Sequence, residues 1–197
     1  WLAANDQYLA DALAWLRHRL ERLAGGEAAP ARPAAPAESP RRLMERFRLS
    51  GAAQEEEPPL LAAPAPAAPV WDAANPPALV QLAERLGLSD FERELLLLAT
   101  AMELDTRIGA LCARAQGDEA RPHPTFALAF TLFDNPAWAA LAPDRPLRYW
   151  QLVDVEQGAH ALTAAALRAD ERIVNYIKGL DHLDARIASL LTEPRAR

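Results

Sequence analysis

Of the 17 prolines in this 197-residue chain, 11 fall between Gly25 and Pro77. Proline locks φ and carries no backbone N–H, so a run such as Ala62-Ala63-Pro64-Ala65-Pro66-Ala67-Ala68-Pro69 is excluded from helix interiors and central strands and suits extended polyproline II. This divides the chain into an opening segment (residues 1–24), a Pro/Ala-rich linker (25–75) and a domain (76–192). Inside the linker, Arg41-Arg42-Leu43-Met44-Glu45-Arg46-Phe47-Arg48-Leu49 has room for about two helical turns, docked through Leu43, Phe47 and Leu49. A functional basic patch is the alternative reading of the same segment.

Hydrophobic residues make up 51% of the chain, but much of that is Ala, which removes far less apolar area on burial than Leu or Phe, so the usable core is local. The net charge of -6 disfavours nucleic acid as the main partner, because phosphate binding needs clustered Lys and Arg. A single cysteine, Cys112, excludes an internal disulfide and a multi-cysteine zinc site, and fits a reducing, cytoplasmic setting. The longest apolar run, Leu95–Met102, lies between Glu94 and Glu103 and is too short to span a membrane. The chain starts on Trp1 without a signal-peptide pattern and reads as a piece of a longer protein.

From Asn5 to Leu23, the residues Leu9, Leu13, Leu16, Leu20 and Leu23 recur at alternating steps of four and three, a coiled-coil-type seam. Such a stripe packs either on its own domain or between subunits, and Gly25-Gly26 is expected to end the helix in left-handed conformations. Asn75-Pro76-Pro77 reads as the cap of the next helix, closed by Gly87. Ser89-Asp90-Phe91-Glu92 matches a capping box before a helix that is apolar nearly all round, the expected central element. Asp105 and Thr106 are the expected cap of a further helix that runs to Gly117. Thr125 should cap a helix through Leu132, and Asn135-Pro136 one that ends near Leu141. Leu147, Tyr149, Gln151, Val153 and Val155 then alternate as in a strand, with Ala161–Leu167 as the partner of a hairpin turned at Gln157-Gly158. Asp170 caps a helix to Gly179, and Asp181–Leu191 forms the last. Helices, a hairpin and then helix give a mainly α fold with a winged-helix-like portion.

No glycine-rich phosphate loop, H-E-x-x-H, C-x-x-C or G-x-S-x-G occurs. The carboxylate pairs Glu103/Asp105, Asp170/Glu171 and Asp181/Asp184 sit at helix ends near Arg residues, so capping and ion pairing account for them. His123 and Cys112 read as packing residues. The segments Thr125–Phe133 and Asn135–Leu141, where a DNA-reading helix would fall, lack Lys and Arg and present Phe126, Phe130 and Trp138.

Several stretches together resemble the N-terminal region of a group of bacterial AAA+ ATPases, many of them encoded with extracellular contractile injection systems. They are Leu88–Ala99, Glu103-Leu104-Asp105, Leu111–Asp118, Pro124-Thr125-Phe126, Pro146–Leu152, Leu167–Ile173 and Gly179–Asp184. The resemblance implies a non-catalytic adaptor or assembly domain of a ring, expected to be a hexamer, that remodels proteins with ATP and Mg bound by a separate module. Because the Walker-bearing module is absent, no catalytic, cofactor or metal residue carries over. The implied partners are the ATPase module, neighbouring subunits and a client, with no membrane and no nucleic acid. Partner contacts are assigned to Leu9, Leu13, Leu16, Leu20, Leu23, Trp138 and Trp150, and Trp71 is a further exposed-aromatic candidate. The alternative is a winged-helix DNA-binding regulator.

Overall fold

A helix apolar on nearly every side must be surrounded, and in the computed structural model, which describes residues 1–25, 69–156 and 161–180, the helix of Leu95–Met102 is. Seven α-helices and one two-stranded sheet occur among the described residues: α1 (Leu2–Ala24), α2 (Ala78–Leu86), α3 (Asp90–Leu104), α4 (Arg107–Gln116), α5 (Phe126–Leu132), α6 (Pro146–Tyr149), β1 (Val153–Val155), β2 (Leu167–Ala169) and α7 (Glu171–Ile177). All described residues belong to one compact unit. The Arg-rich segment 41–49, the 157–158 turn and the 181–191 helix lie outside the described residues.

The capping box before α3 forms as the spacing predicts. Ser89 Oγ accepts the Glu92 N–H at 3.3 Å and Glu92 Oε2 accepts the Ser89 N–H at 2.9 Å. Beyond it, Leu95, Leu96, Leu98 and Ala101 are completely buried, with α1, α2, α4, α7 and β2 packed around them. Before it, Gly87 ends α2 at φ 68°, where a left-handed residue lets the Leu88 N–H reach the Ala83 carbonyl at 2.9 Å.

Several expected boundaries move. The first helix begins at Leu2, so Asn5 lies inside it, and Gly25 ends it at φ -76° rather than in the left-handed region. Pro77, not Asn75, is the N-cap of α2, with φ held at -63° by its ring and ψ extended at 157°. Asp105 closes α3 as its C-cap, yet its Oδ1 also accepts the Arg107 N–H at 3.0 Å and so caps α4 in place of Thr106. Thr125 and Asp170 cap α5 and α7 as expected. The segment after Asn135-Pro136 makes only a 3-10 turn, Trp138–Leu141.

The largest correction falls on residues 146–152. Their alternation reads as strand, but Pro146 occupies the first helical position and the chain forms α6, with the Tyr149 N–H on Arg145 O at 2.8 Å and the Trp150 N–H on Pro146 O at 3.0 Å. Gln151, at φ 53°, then reverses the chain, and the Leu152 N–H returns to the Leu147 carbonyl at 3.0 Å. Only Val153–Val155 is strand. It pairs antiparallel with Leu167–Ala169 in the register Val153↔Ala169, Asp154↔Arg168, Val155↔Leu167. A 3-10 turn, Leu162–Ala164, occupies much of the segment expected to be the second strand, which starts only at Leu167.

Candidate functional site

The seven residues assigned to partner contacts fall in very different places. Leu9, Leu16 and Leu20 are 2%, 0% and 0% exposed, and they face α3, α4 and α5 in the core of their own chain. Leu13 and Leu23 are half-buried at the edge of that core. Trp150 is half-buried and meets the exposed ring of Tyr149 edge to face at 4.8 Å. Trp71 is half-buried against Tyr8 at 6.0 Å, with the Arg93 guanidinium 5.5 Å from its ring. Trp138 alone of the seven is broadly exposed, at 70%.

Trp138 is nevertheless held in place. Its ring stacks on Phe130 at 5.6 Å and 14°, and Phe130 stacks on Phe91 at 5.5 Å and 7°. Phe91 meets Phe133 edge to face, and Phe133 stacks on Trp15, which carries Arg19 at 5.2 Å. A column of near-parallel rings thus runs from the buried α3 N-terminus to the surface, and offset or edge-on aromatic pairs of this kind add stabilisation beyond area burial. Trp138 is conspicuous in the sequence but the column is not, because Phe91 and Phe130 are 39 residues apart and no periodicity links them.

The charged groups are largely committed to one another. Glu92, completely buried, accepts Arg145 Nη2 at 2.7 Å while its other bonds close the capping box. Burial alone would raise the pKa of Glu92; the bonds from Arg145 and Ser89, with the Arg145 charge, outweigh it and hold the group below the ordinary range. Asp105 is held far below that range, first by the Arg107 side chain and then by the Arg107 N–H and Arg17, against the effect of burial. Glu94 moves the other way, raised by desolvation despite Arg19 and Arg93 nearby. Arg19 grips Asp134 with both terminal nitrogens and also donates to the Leu132 carbonyl. In the helix that leads into the hairpin, Arg148 donates to the Leu141 carbonyl at 2.7 Å. On the hairpin itself, Asp154 lies opposite Arg168, so the strands present balanced charge.

A cleft of about 240 Å³ lies where the hairpin meets α3, with Met102, Pro124 and Leu167 as apolar wall and Glu103, Glu156 and Arg168 at its exposed rim. His123 is on its edge. Cys112 is buried elsewhere, and burial pushes its thiol up to about 12, which leaves it inert at neutral pH. Asp170 is used as a cap and by Arg172; Asp181 and Asp184 lie outside the described residues. Among the described residues, no group of three or more His, Cys, Asp or Glu is placed to hold a metal ion, and no helix is long and apolar enough to cross a membrane.

Helices followed by a small antiparallel hairpin define a winged-helix class of module. The chain belongs to the family "Winged helix domain, variant", whose model matches residues 3–191. The matched range takes in nearly all of α1 and the hairpin. No curated protein and no solved structure matches the chain.

Proposed function

We propose that this chain is a non-catalytic protein-interaction module, the N-terminal adaptor domain of an AAA+ ATPase that acts on components of a contractile injection system in the cytoplasm. The ATPase connection rests on the resemblance of Leu88–Ala99, Leu111–Asp118, Pro146–Leu152 and Gly179–Asp184 to that group. ATP and Mg would be held by a module outside residues 1–197, in a ring of subunits. The observation that carries the choice of protein over DNA is the helix leading into the hairpin. α6 has four residues, too few to present the three or four base-reading side chains of a groove helix, and Arg145 and Arg148 at this position are spent on Glu92 and Leu141. Residues 122–144 add no Lys or Arg, and Trp138 stands exposed on a rigid support.

Two experiments test this. Titration of labelled duplex DNA with the protein at low salt should give no saturable binding at micromolar concentrations, where a phosphate-neutralising protein binds with a steep salt dependence. Tight, salt-sensitive binding would move the assignment to a DNA-binding regulator. For the ATPase connection, the reading frame beyond Arg197 should encode G-x-x-x-x-G-K-[S/T] within about one further domain length. A frame that closes without it removes the connection.

A further inference from the structure

We infer that the outer face of Trp138 is the docking place for an Arg-bearing segment of a partner protein, its guanidinium stacked on the indole as a fourth layer of the aromatic column. The inference deepens the protein-partner reading and rests on it.

Three observations support the site. Trp138 is 70% exposed while one face of its ring is fixed on Phe130, so the docking surface is ordered before the partner arrives and little side-chain entropy is lost on binding. Secondly, the surface segment that carries it is acidic. Residues 122–144 contain no Lys or Arg, and their charged groups include Asp134, four residues before Trp138, and Asp144, six after, both exposed. Three arginines that meet this segment or follow it are already engaged, Arg145 by Glu92, Arg19 by Asp134 and Arg148 by the Leu141 carbonyl. A planar cation is therefore the group that both the ring face and the local charge favour, since an aromatic face attracts cations through its quadrupole. Thirdly, the chain makes the same contact internally, with Arg19 over Trp15 at 5.2 Å and Arg93 over Trp71 at 5.5 Å. In both cases the cation also pairs with an Asp, Asp134 and Asp90 respectively. The docking surface offers a partner's arginine the ring face of Trp138, with the exposed carboxylate of Asp144 six residues further along the chain.

The test uses the full chain labelled with 5-fluorotryptophan, in which Trp138→Phe identifies the Trp138 fluorine resonance among five. The probes are acetylated, amidated heptapeptides in which Gly alternates with Arg, Leu or Glu. The Gly-Arg peptide should move the Trp138 resonance saturably. Asp144→Asn, at an exposed position that leaves the Arg19–Asp134 pair intact, should weaken that binding roughly twofold to fivefold, the scale of one exposed charge contact. High salt should weaken it as well. No movement with the Arg peptide overturns the inference, as does equal movement with the Leu peptide, which would mark an apolar partner. Movement on concentrating the protein alone would assign the surface to a second copy of the chain. Each of these results leaves the DNA titration to judge the adaptor reading separately.

Discussion

Asn5 carries more of the architecture than its place in a helix interior suggests. Its side chain is 1% exposed; Nδ2 donates to the Ile177 carbonyl and Oδ1 accepts the Ala78 N–H, each at 2.9 Å. The Ala78 N–H belongs to the first turn of α2 and the Ile177 carbonyl to the last turn of α7, two of the groups that helices leave unpaired at their ends. One amide thus satisfies both and ties three elements together. Asn5→Ala should cost about 2–4 kcal/mol in urea unfolding, because a buried donor and a buried acceptor both lose their partner. A loss below about 0.5 kcal/mol would mean that water replaces the amide at this site. From sequence, Asn5-Asp6 looks like the start of a helix. Its actual partners are more than 70 residues away, beyond what local capping rules address.

At the scale of elements, α1 shows which part of a pattern is legible. A seam at steps of four and three predicts a helix with one apolar stripe, and the stripe exists. The same spacing serves equally for a neighbouring subunit and for the chain's own body, and here Leu9, Leu16 and Leu20 lie in the core beside Tyr8, Ala12 and Trp15. Leu16→Ala should therefore destabilise the protein by about 2–5 kcal/mol, the range for truncating a fully buried leucine, and Leu13→Ala by clearly less. Urea denaturation of the two variants decides this. A larger loss at Leu13 would put the buried face of the helix elsewhere. α6 teaches the opposite lesson about pattern. Four residues are too few for period two and period 3.6 to be told apart, so the alternation of Leu147 and Tyr149 carried no information, while Pro146 in front of them did.

For the whole molecule, the carboxylates set the response to acid. Glu92 and Asp105 have folded-state pKa values below those of the unfolded chain. Their contribution is complete above the unfolded value and is lost as pH falls through the folded one. Glu94, raised by desolvation, has the reverse sign: its penalty appears as pH rises past the ordinary carboxylate range. The first two act on groups with strong, specific partners, so urea midpoints should fall on acidification from about pH 5 downward. Glu92→Gln should be less stable than the native chain at pH 7 and should lose less on going to pH 3, since Gln keeps acceptor capacity but has no charge to lose. Parallel pH profiles for the two proteins would show that the Arg145–Glu92 pair contributes nothing to the acid response.

What the sequence determined by itself is whatever depends on neighbours along the chain. The capping box at Ser89, the apolar-all-round α3, the caps at Thr125 and Asp170 and the order of helices, hairpin and helix all rest on contacts within about one helical turn or on local pattern. The tertiary structure alone decided which side of α1 is covered and by what, that Asp105 serves two helices and two arginines, and that the buried Glu92 carboxylate pairs with Arg145, 53 residues away. It also decided that a tryptophan notable in sequence only for its size ends a column of rings begun on another helix. Those contacts join residues far apart in the chain. Propensity and periodicity describe a segment's preferences, whereas such pairings are selected by the packing of all the segments at once.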